Sequence, residues 1–524
     1  MIARKRRTRQ MHLRLREPDG SLPAGLLEFS GRVAAMPYNR NPISQLKKYR
    51  ELPRRPSTSK LFPTPTNRVR WDDLLTLKLL RANERVAEGP VRPDLNLGDF
   101  RSELVDFDFQ IPRPLGELLS WTIDKMEHGL VHVTHPRYFG LFNPSPSFPA
   151  QCADRIASVF NPQLATSTTS PVAVEIEAHV IRSVARRAGF PSEAAGHFTS
   201  GGSEANYTAL LCALTRATPE FADKGARAFD GPPVFYVSRE SHLAWIKIAH
   251  QAGIGRAAVR LIATDGLGRM DQNALKDSLS RDLADGCVPV MIAATAGTTN
   301  AGMIDPLAAC AELARSNNLW FHVDAAWGGA LIASDRLGNA LAGIERADSV
   351  TIDAHKWFAT TMGCGMFITI HPNVLSSAFQ VSTSFMPSNL PSLDPYVTSM
   401  QWSRRFLGLR LFLSLAAAGW SGYGEHVERS IELTNLLRGE LVERGWSIVN
   451  SSPLGVLCIK PPPGAGDVRS IVDRVLASGR AWVAAAMFEG NEIIRACVTN
   501  GETTEDDVIE LVQILHVPDR TWAS

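Results

Sequence analysis

No stretch of the chain approaches the ~18 consecutive apolar residues that a membrane-spanning helix needs, so no bilayer span is expected. Cysteine is sparse: seven among 524 residues, at 152, 212, 287, 310, 364, 458 and 497, an odd number with no Cys-x-x-Cys and no zinc spacing. That scarcity argues against a disulfide framework or a metal site, and the thiols read as reduced, mostly buried and cytoplasmic. The basic start is not followed by an apolar core of roughly 7–15 residues, which argues against a secretory signal. No glycine-rich loop ends in the lysine of a nucleotide-phosphate loop, and there is no internal repeat. What remains is the composition of an ordinary globular protein, 44% hydrophobic and 21% charged.

The net charge of +2 conceals an asymmetry, because residues 1–70 hold 17 Lys+Arg against 4 Asp+Glu while the rest is acidic. Such a leader can bind nucleic acid or anionic lipid. This one carries Pro53, Pro56, Pro63 and Pro65, only scattered aromatics and no recognisable reading helix, which predicts a solvated, poorly ordered arm with neither nucleic-acid nor membrane partner. Its first sixteen residues, Arg-rich and free of acid, also have the look of an organelle transit peptide.

Beyond the leader, apolar residues from Trp71 recur at three and four spacing and predict helix within an N-terminal segment, 71–150. That segment ends in the proline-punctuated loop 135–149, whose Tyr138, Phe142 and Phe148 suggest that it lines something. Between about 170 and 375, short apolar runs alternate with helical patterns: Val234 to Val237, Val259 to Ile262, Pro289 to Ala294, Leu319 to Val323, Ser349 to Ile352 and Gly365 to Ile370. The alternation predicts a mostly parallel sheet wrapped by helices, in a large domain spanning 151–400. After it, a long helix from Arg405 and a strand-helix-strand pattern ending at Val498 predict a smaller α+β domain over 401–524.

Three segments carry chemistry. In Phe-Thr-Ser-Gly-Gly-Ser-Glu-Ala-Asn, 198–206, a Gly-Gly-Ser turn opens a helical run, so unpaired N–H groups and a hydroxyl form a phosphate cradle or merely a capped turn. In Leu-Trp-Phe-His-Val-Asp-Ala-Ala-Trp, 319–327, an apolar strand delivers Asp324, a carboxylate that needs a cationic partner, a salt bridge or a cap. In Ser-Val-Thr-Ile-Asp-Ala-His-Lys-Trp, 349–357, another strand delivers Lys356 to the same kind of sheet edge. A phosphate cradle, a carboxylate for a ring nitrogen and a lysine for an aldehyde together suggest pyridoxal phosphate.

The three motifs, in that order, resemble those of the group II pyridoxal-phosphate-dependent decarboxylases, relatives of aromatic amino acid and glutamate decarboxylases, over about residues 75–515. The resemblance implies an α/β protein of PLP fold type I, aspartate aminotransferase-like, with a mostly parallel seven-stranded sheet and a small C-terminal α+β domain. It implies pyridoxal 5'-phosphate as cofactor, decarboxylation of an L-amino acid, and a homodimer with a shared active site. By the same resemblance Lys356 forms the Schiff base, Asp324 pairs with the pyridinium and His242 stacks on the ring. Gly202 and Ser203 correspond to phosphate contacts, with His355 and Ser349 near that end, while Thr295 and Ala326 lie close to the ring. Arg495 corresponds to an arginine of the substrate carboxylate region, and the aromatic loop with Phe142 leans toward an aromatic or bulky side chain.

One residue departs from the family pattern. Decarboxylases of this family protonate the carbon left by CO2 with a loop tyrosine, and ungapped alignment places Phe385 there. In plant relatives phenylalanine at this place accompanies aldehyde synthesis, in which oxygen intervenes and ammonia and peroxide leave. Tyr396 and His135 are the candidate substitutes. The remaining alternative, a leader-driven nucleic-acid or membrane-surface binder with an inactive enzyme fold, sits poorly with intact Lys356, Asp324 and His242. Gly253 to Ala258 resembles a dinucleotide turn but precedes a strand, and His132 and His135 lack a third metal ligand nearby.

Overall fold

The computed structural model describes residues 61–142, 144–381 and 394–516. The leader through residue 60 and Phe385 lie outside them. The chain separates into two units, 1–73 and 74–524, and helix Pro65–Glu88 begins in the first. All that follows concerns the second.

Among the described residues, seven strands form one sheet: β1 (Ala195–Thr199), β2 (Pro233–Ser238), β3 (Val259–Ile262), β4 (Val288–Thr295), β5 (Trp320–Asp324), β6 (Ser349–Asp353) and β7 (Gly365–Thr369). Their order is β1-β7-β6-β5-β4-β2-β3, and only β7 runs antiparallel to its neighbours. Strands β2, β5, β6 and β7 are buried along their whole length, which is why they read as unbroken apolar runs and not as alternation. Helices cover both faces, Gly202–Ala217 and Ala244–Gln251 through Leu210, Leu214, Trp245 and Ile248, and Pro171–Arg187 through Val180, Ile181 and Val184. Local chemistry sets several helix starts: Asp271 Oδ1 accepts the Asn273 and Ala274 N–H groups at 2.8 and 2.7 Å and begins helix Gln272–Ala284.

The long helix Gly408–Glu443, interrupted at Gly419 where φ is 67°, leads to a second, antiparallel sheet. This sheet holds β8 (Ser447–Ile448), β9 (Val456–Lys460), β10 (Ala484–Phe488) and β11 (Asn491–Cys497) in the order β10-β11-β9-β8. Helices Val468–Ala477 and Glu505–His516 cover it through Ile471, Val475, Leu511 and Leu515. Arg404, just before the long helix, is buried against Glu177 at 2.6 Å, so the ion pair ties the return of the chain to helix Pro171–Arg187.

The proline-punctuated loop is held by the second sheet. Phe139 N–H donates to Trp482 O and Cys497 N–H to Phe139 O, both at 2.8 Å, so residues near 139 run as an extra extended segment beside β11. A side chain at Gly140 would meet the Trp482 ring at 2.1 Å, so only glycine permits this approach. His132 and His135 are spent on the backbone, with Nε2 atoms 2.8 Å from Glu127 O and 3.2 Å from Gly89 O. All seven cysteines are free, five of them buried, and no described helix is long and apolar enough to cross a membrane.

Candidate active site

Parallel strands deliver their C-terminal ends to one edge of the sheet, and there a cavity of about 330 Å³ opens. Thr295 ends β4 and lies in register beside Asp324, which ends β5. Asp353 ends β6, and Lys356 follows three residues later. Gly202, Ser203, His242, Thr295, Asp324, Ala326, His355, Lys356 and Phe142 all line this cavity. Nine of the residues singled out in the sequence thus converge from segments more than two hundred positions apart.

The end that would hold a phosphate is built by the turn after β1. Helix Gly202–Ala217 starts without a side-chain cap, so its first N–H groups face the cavity where a phosphate would meet them. A Cβ on Gly202 would stand 2.9 Å from Asp353 Oδ2 and 3.3 Å from the Ala326 Cβ, so the cradle is one that any larger residue would fill. Glu204 shapes the turn from within, accepting Ser200 N–H at 2.8 Å and Ser200 Oγ–H at 2.6 Å, and it in turn receives Gln401 Nε2–H at 2.7 Å. His355 Nδ1 lies 3.1 Å from Cys364 O, which fixes its ring beside Gly201.

Asp324 is 5% exposed, and its orientation is over-determined. Oδ1 accepts Ala326 N–H at 3.1 Å and Oδ2 accepts Asn206 Nδ2–H at 2.7 Å. Behind Asn206 the chain of donors continues: His322 Nε2 is 3.1 Å from Asn206 Oδ1, and His322 Nδ1 is 2.8 Å from Ser349 Oγ, which also receives Trp320 Nε1–H at 2.8 Å. Because Asn206 gives its amide hydrogen to Asp324, its oxygen must accept, which selects the Nε2–H tautomer of His322. Burial pushes the His322 imidazole down to about 4, so the ring is neutral.

Ser349 therefore corrects an expectation. It is fully buried at the start of β6, four positions upstream of the strand end, and serves His322 and Trp320 instead of a phosphate. Arg495 on β11 does not line the cavity either; it lies under the wall, its guanidinium 4.3 Å from the Phe142 ring centroid and its Nη1–H donating to Gly140 O at 3.1 Å. Phe142 stacks on Trp327 with centroids 3.9 Å apart, so a guanidinium, a phenyl ring and an indole form one column beside the cavity. His242 stands exposed at the rim with Nδ1 accepting Ala244 N–H at 3.1 Å, which leaves Nε2 to carry the proton of the neutral ring. Neither His135 nor Tyr396 lines the cavity; the ring of the latter packs at a tilt against Trp402, centroids 4.9 Å apart.

Asn206, His322 and Asp353 were given no role from sequence. The signal for Asn206 was a polar residue on the buried face of a helix, and for His322 a histidine on the same face of β5 as Asp324. The residues present fit pyridoxal phosphate: a glycine-opened helix start, a carboxylate held for a ring nitrogen, a lysine, and a buried Thr295 hydroxyl that has no partner in the protein.

Comparison with known proteins agrees. Residues 102–460 match the family model described as the pyridoxal-dependent decarboxylase conserved domain. The chain is 30% identical over 400 residues to L-2,4-diaminobutyrate decarboxylase of Rhizobium meliloti (strain 1021), covering 74% of this chain and 79% of that one. It is 27% identical over 439 residues to tryptophan decarboxylase 2 of Oryza sativa subsp. japonica, covering 80% and 88%. The crystal structure of mouse CSAD superposes with a TM-score of 0.78 at 25% identity, covering 85% of this chain and 98% of that one.

Proposed function

The chain belongs to the pyridoxal-dependent decarboxylase family, and from that premise we propose that it removes the α-carboxylate of an L-amino acid with a leaning toward aromatic or bulky side chains. It is a lyase with pyridoxal phosphate as its cofactor. The observation that carries the proposal is the convergence of Lys356, Asp324 and the Gly202 helix start on one cavity. The bound cofactor supplies an aldehyde for an amine and a ring that accepts the electron pair released with CO2. Lys356 Nζ would be the amine that holds the aldehyde. Asp324, held by Asn206 and Ala326, would keep a proton on the ring nitrogen. His242 at the rim would cover a ring face, and the aromatic wall of Phe142 and Trp327 would exclude water and supports the preference for bulky side chains.

A second reading has its own support. With Phe385 at the position of the loop tyrosine and with His135 and Tyr396 engaged elsewhere, proton delivery to Cα lacks its usual donor. Oxygen as two-electron oxidant and one water then give an aldehyde, with CO2, ammonia and hydrogen peroxide. Mass spectrometry of products from a panel of L-amino acids, in air and under nitrogen, separates the two: equal amine in both atmospheres supports decarboxylation, and aldehyde formed only in air supports the oxidative reaction. In either case Lys356→Ala is expected to lose turnover and the visible absorbance of the bound cofactor; retention of that absorbance would overturn the site.

The assembly we propose is a homodimer with a shared active site, in a reducing cytoplasm consistent with the free thiols. Helix Phe148–Phe160 buries Ala150, Ala153 and Ala157 and leaves Phe148, Val159 and Phe160 more than 70% exposed, an apolar face suited to a second copy.

A further inference from the structure

Asp353 is an unusual wall for a phosphate site. It is 3% exposed, and its Oδ1 has no hydrogen-bond partner in the protein. Its Oδ2 lies 3.1 Å from Lys356 Nζ and 3.9 Å from His355 Nε2. The same oxygen is 2.9 Å from the point where a Gly202 Cβ would stand, so the carboxylate abuts the first residue of the cradle helix. Its other face is closed by β7, where a Cβ on Gly365 would lie 2.7 Å from Oδ1, so the group cannot swing away. A buried carboxylate that touches both the reactive lysine and the anion cradle must act on each.

We propose that Asp353 is a positioning residue that weakens cofactor retention: it holds Lys356 as a paired ammonium and sets a fixed negative charge beside the cradle that takes the phosphate. The inference rests on the functional reading above and deepens it, by assigning control of cofactor loading to one side chain. Two physical effects act in the same direction. A like charge at the cradle opposes the phosphate, in a setting where an effective dielectric of ~20 leaves charge pairs at a few ångström worth several-fold or more in binding. An ammonium in an ion pair is also withheld from carbonyl chemistry, since only the free amine attacks an aldehyde. Loading therefore requires Lys356 to leave Asp353 and lose its proton to solvent, and the carboxylate remains behind. Helix N–H groups at Gly202 and Ser203 and the His355 ring are the attractive counterweight.

The test uses the full chain, stripped of cofactor and titrated with pyridoxal phosphate or with pyridoxal, the same aldehyde without the phosphate, read by visible absorbance. Asp353→Asn keeps the shape and removes the charge. Its dissociation constant for pyridoxal phosphate is expected to fall by about tenfold, and its release from the loaded enzyme into a trapping apoprotein to slow, while the gain for pyridoxal stays below about threefold. Should the amide not fold, as judged by circular dichroism, Asp353→Ser is measured in its place. Unchanged or weaker binding of pyridoxal phosphate, or an equal gain for both aldehydes, overturns the proposal. If instead the unaltered chain develops no visible absorbance with pyridoxal phosphate, the functional reading itself falls.

Discussion

Asp324 keeps its direction because two donors from different elements reach it, and Asn206 is the one that connects it to the interior. Hydrogen bonds to charged groups are worth ~1.5–3 kcal/mol, so Asn206→Leu, which strips one donor and strands the His322 N–H, is expected to lower kcat roughly 10- to 100-fold. Cofactor should still bind, since the leucine touches neither Lys356 nor the cradle; steady-state kinetics beside the visible spectrum checks both. Histidine burial also governs acid tolerance. Burial pushes His135 and His322 down to about 4 and His197 down to about 3, the last aided by the Arg404 charge. Each is neutral when folded but takes a proton in the unfolded chain below ~6.5, so its contribution to stability is present above that pH and is lost as pH falls toward 4. Asp305, raised by burial to about 6, works oppositely, holding a proton in the fold that the unfolded chain has released, and so favours the fold at the acid end. Three histidines outweigh one carboxyl, and Tm should fall as pH drops from 6.5 toward 4.5. His197 has neither ring nitrogen satisfied, so His197→Phe should flatten that decline at no cost near neutrality; a steeper decline in thermal melts would contradict this.

At the scale of elements, the 135–149 loop owes its position to β11 and Trp482 more than to its own prolines. Gly140→Ala forces the Trp482 ring to move, an overpacking cost of ~1–3 kcal/mol. Because Phe142 is two residues on, the variant should raise KM more than it lowers kcat, in addition to lowering Tm. The six strands read from apolar runs lie within a residue or so of β2 to β7, since burial on both faces, for all but the edge strand β3, writes itself directly into composition. β1 escaped that reading because Ala-Gly-His-Phe-Thr is short, glycine-containing and polar at its centre, and is made a strand by pairing with β7, some 170 positions away. The same limit applied to the site. Motifs announce Lys356, Asp324 and the Gly202 turn because each is set by its own neighbours in sequence. The line from Ser349 through His322 and Asn206 is made only when three elements pack, and family likeness alone assigned Ser349 to the wrong end of its strand. Asp353 stood in the open between Ile352 and Lys356, yet its importance lies in what it faces.

For the whole molecule, the exposed face of helix Phe148–Phe160 is the feature that a solitary chain does not explain. Phe160 is 79% exposed, so Phe160→Glu should leave the fold intact and shift the mass by light scattering from twice the chain's toward a single copy; an unaltered protein that already scatters as one copy would refute the dimer. The groups proposed for the chemistry and the loop part of the proposed side-chain wall have different owners. Lys356, Asp324, the cradle and Trp327 all hang from the large sheet, whereas Phe142, which stacks on Trp327, is suspended from the small one through Phe139, Gly140 and Arg495. On the proposed reading, reaction and the Phe142 part of selectivity are thereby carried on separate pieces of the chain. A lineage, or an engineer, retuning which amino acid is accepted can rewrite residues around 135–149 together with β11, and leave the apparatus that breaks the bond untouched.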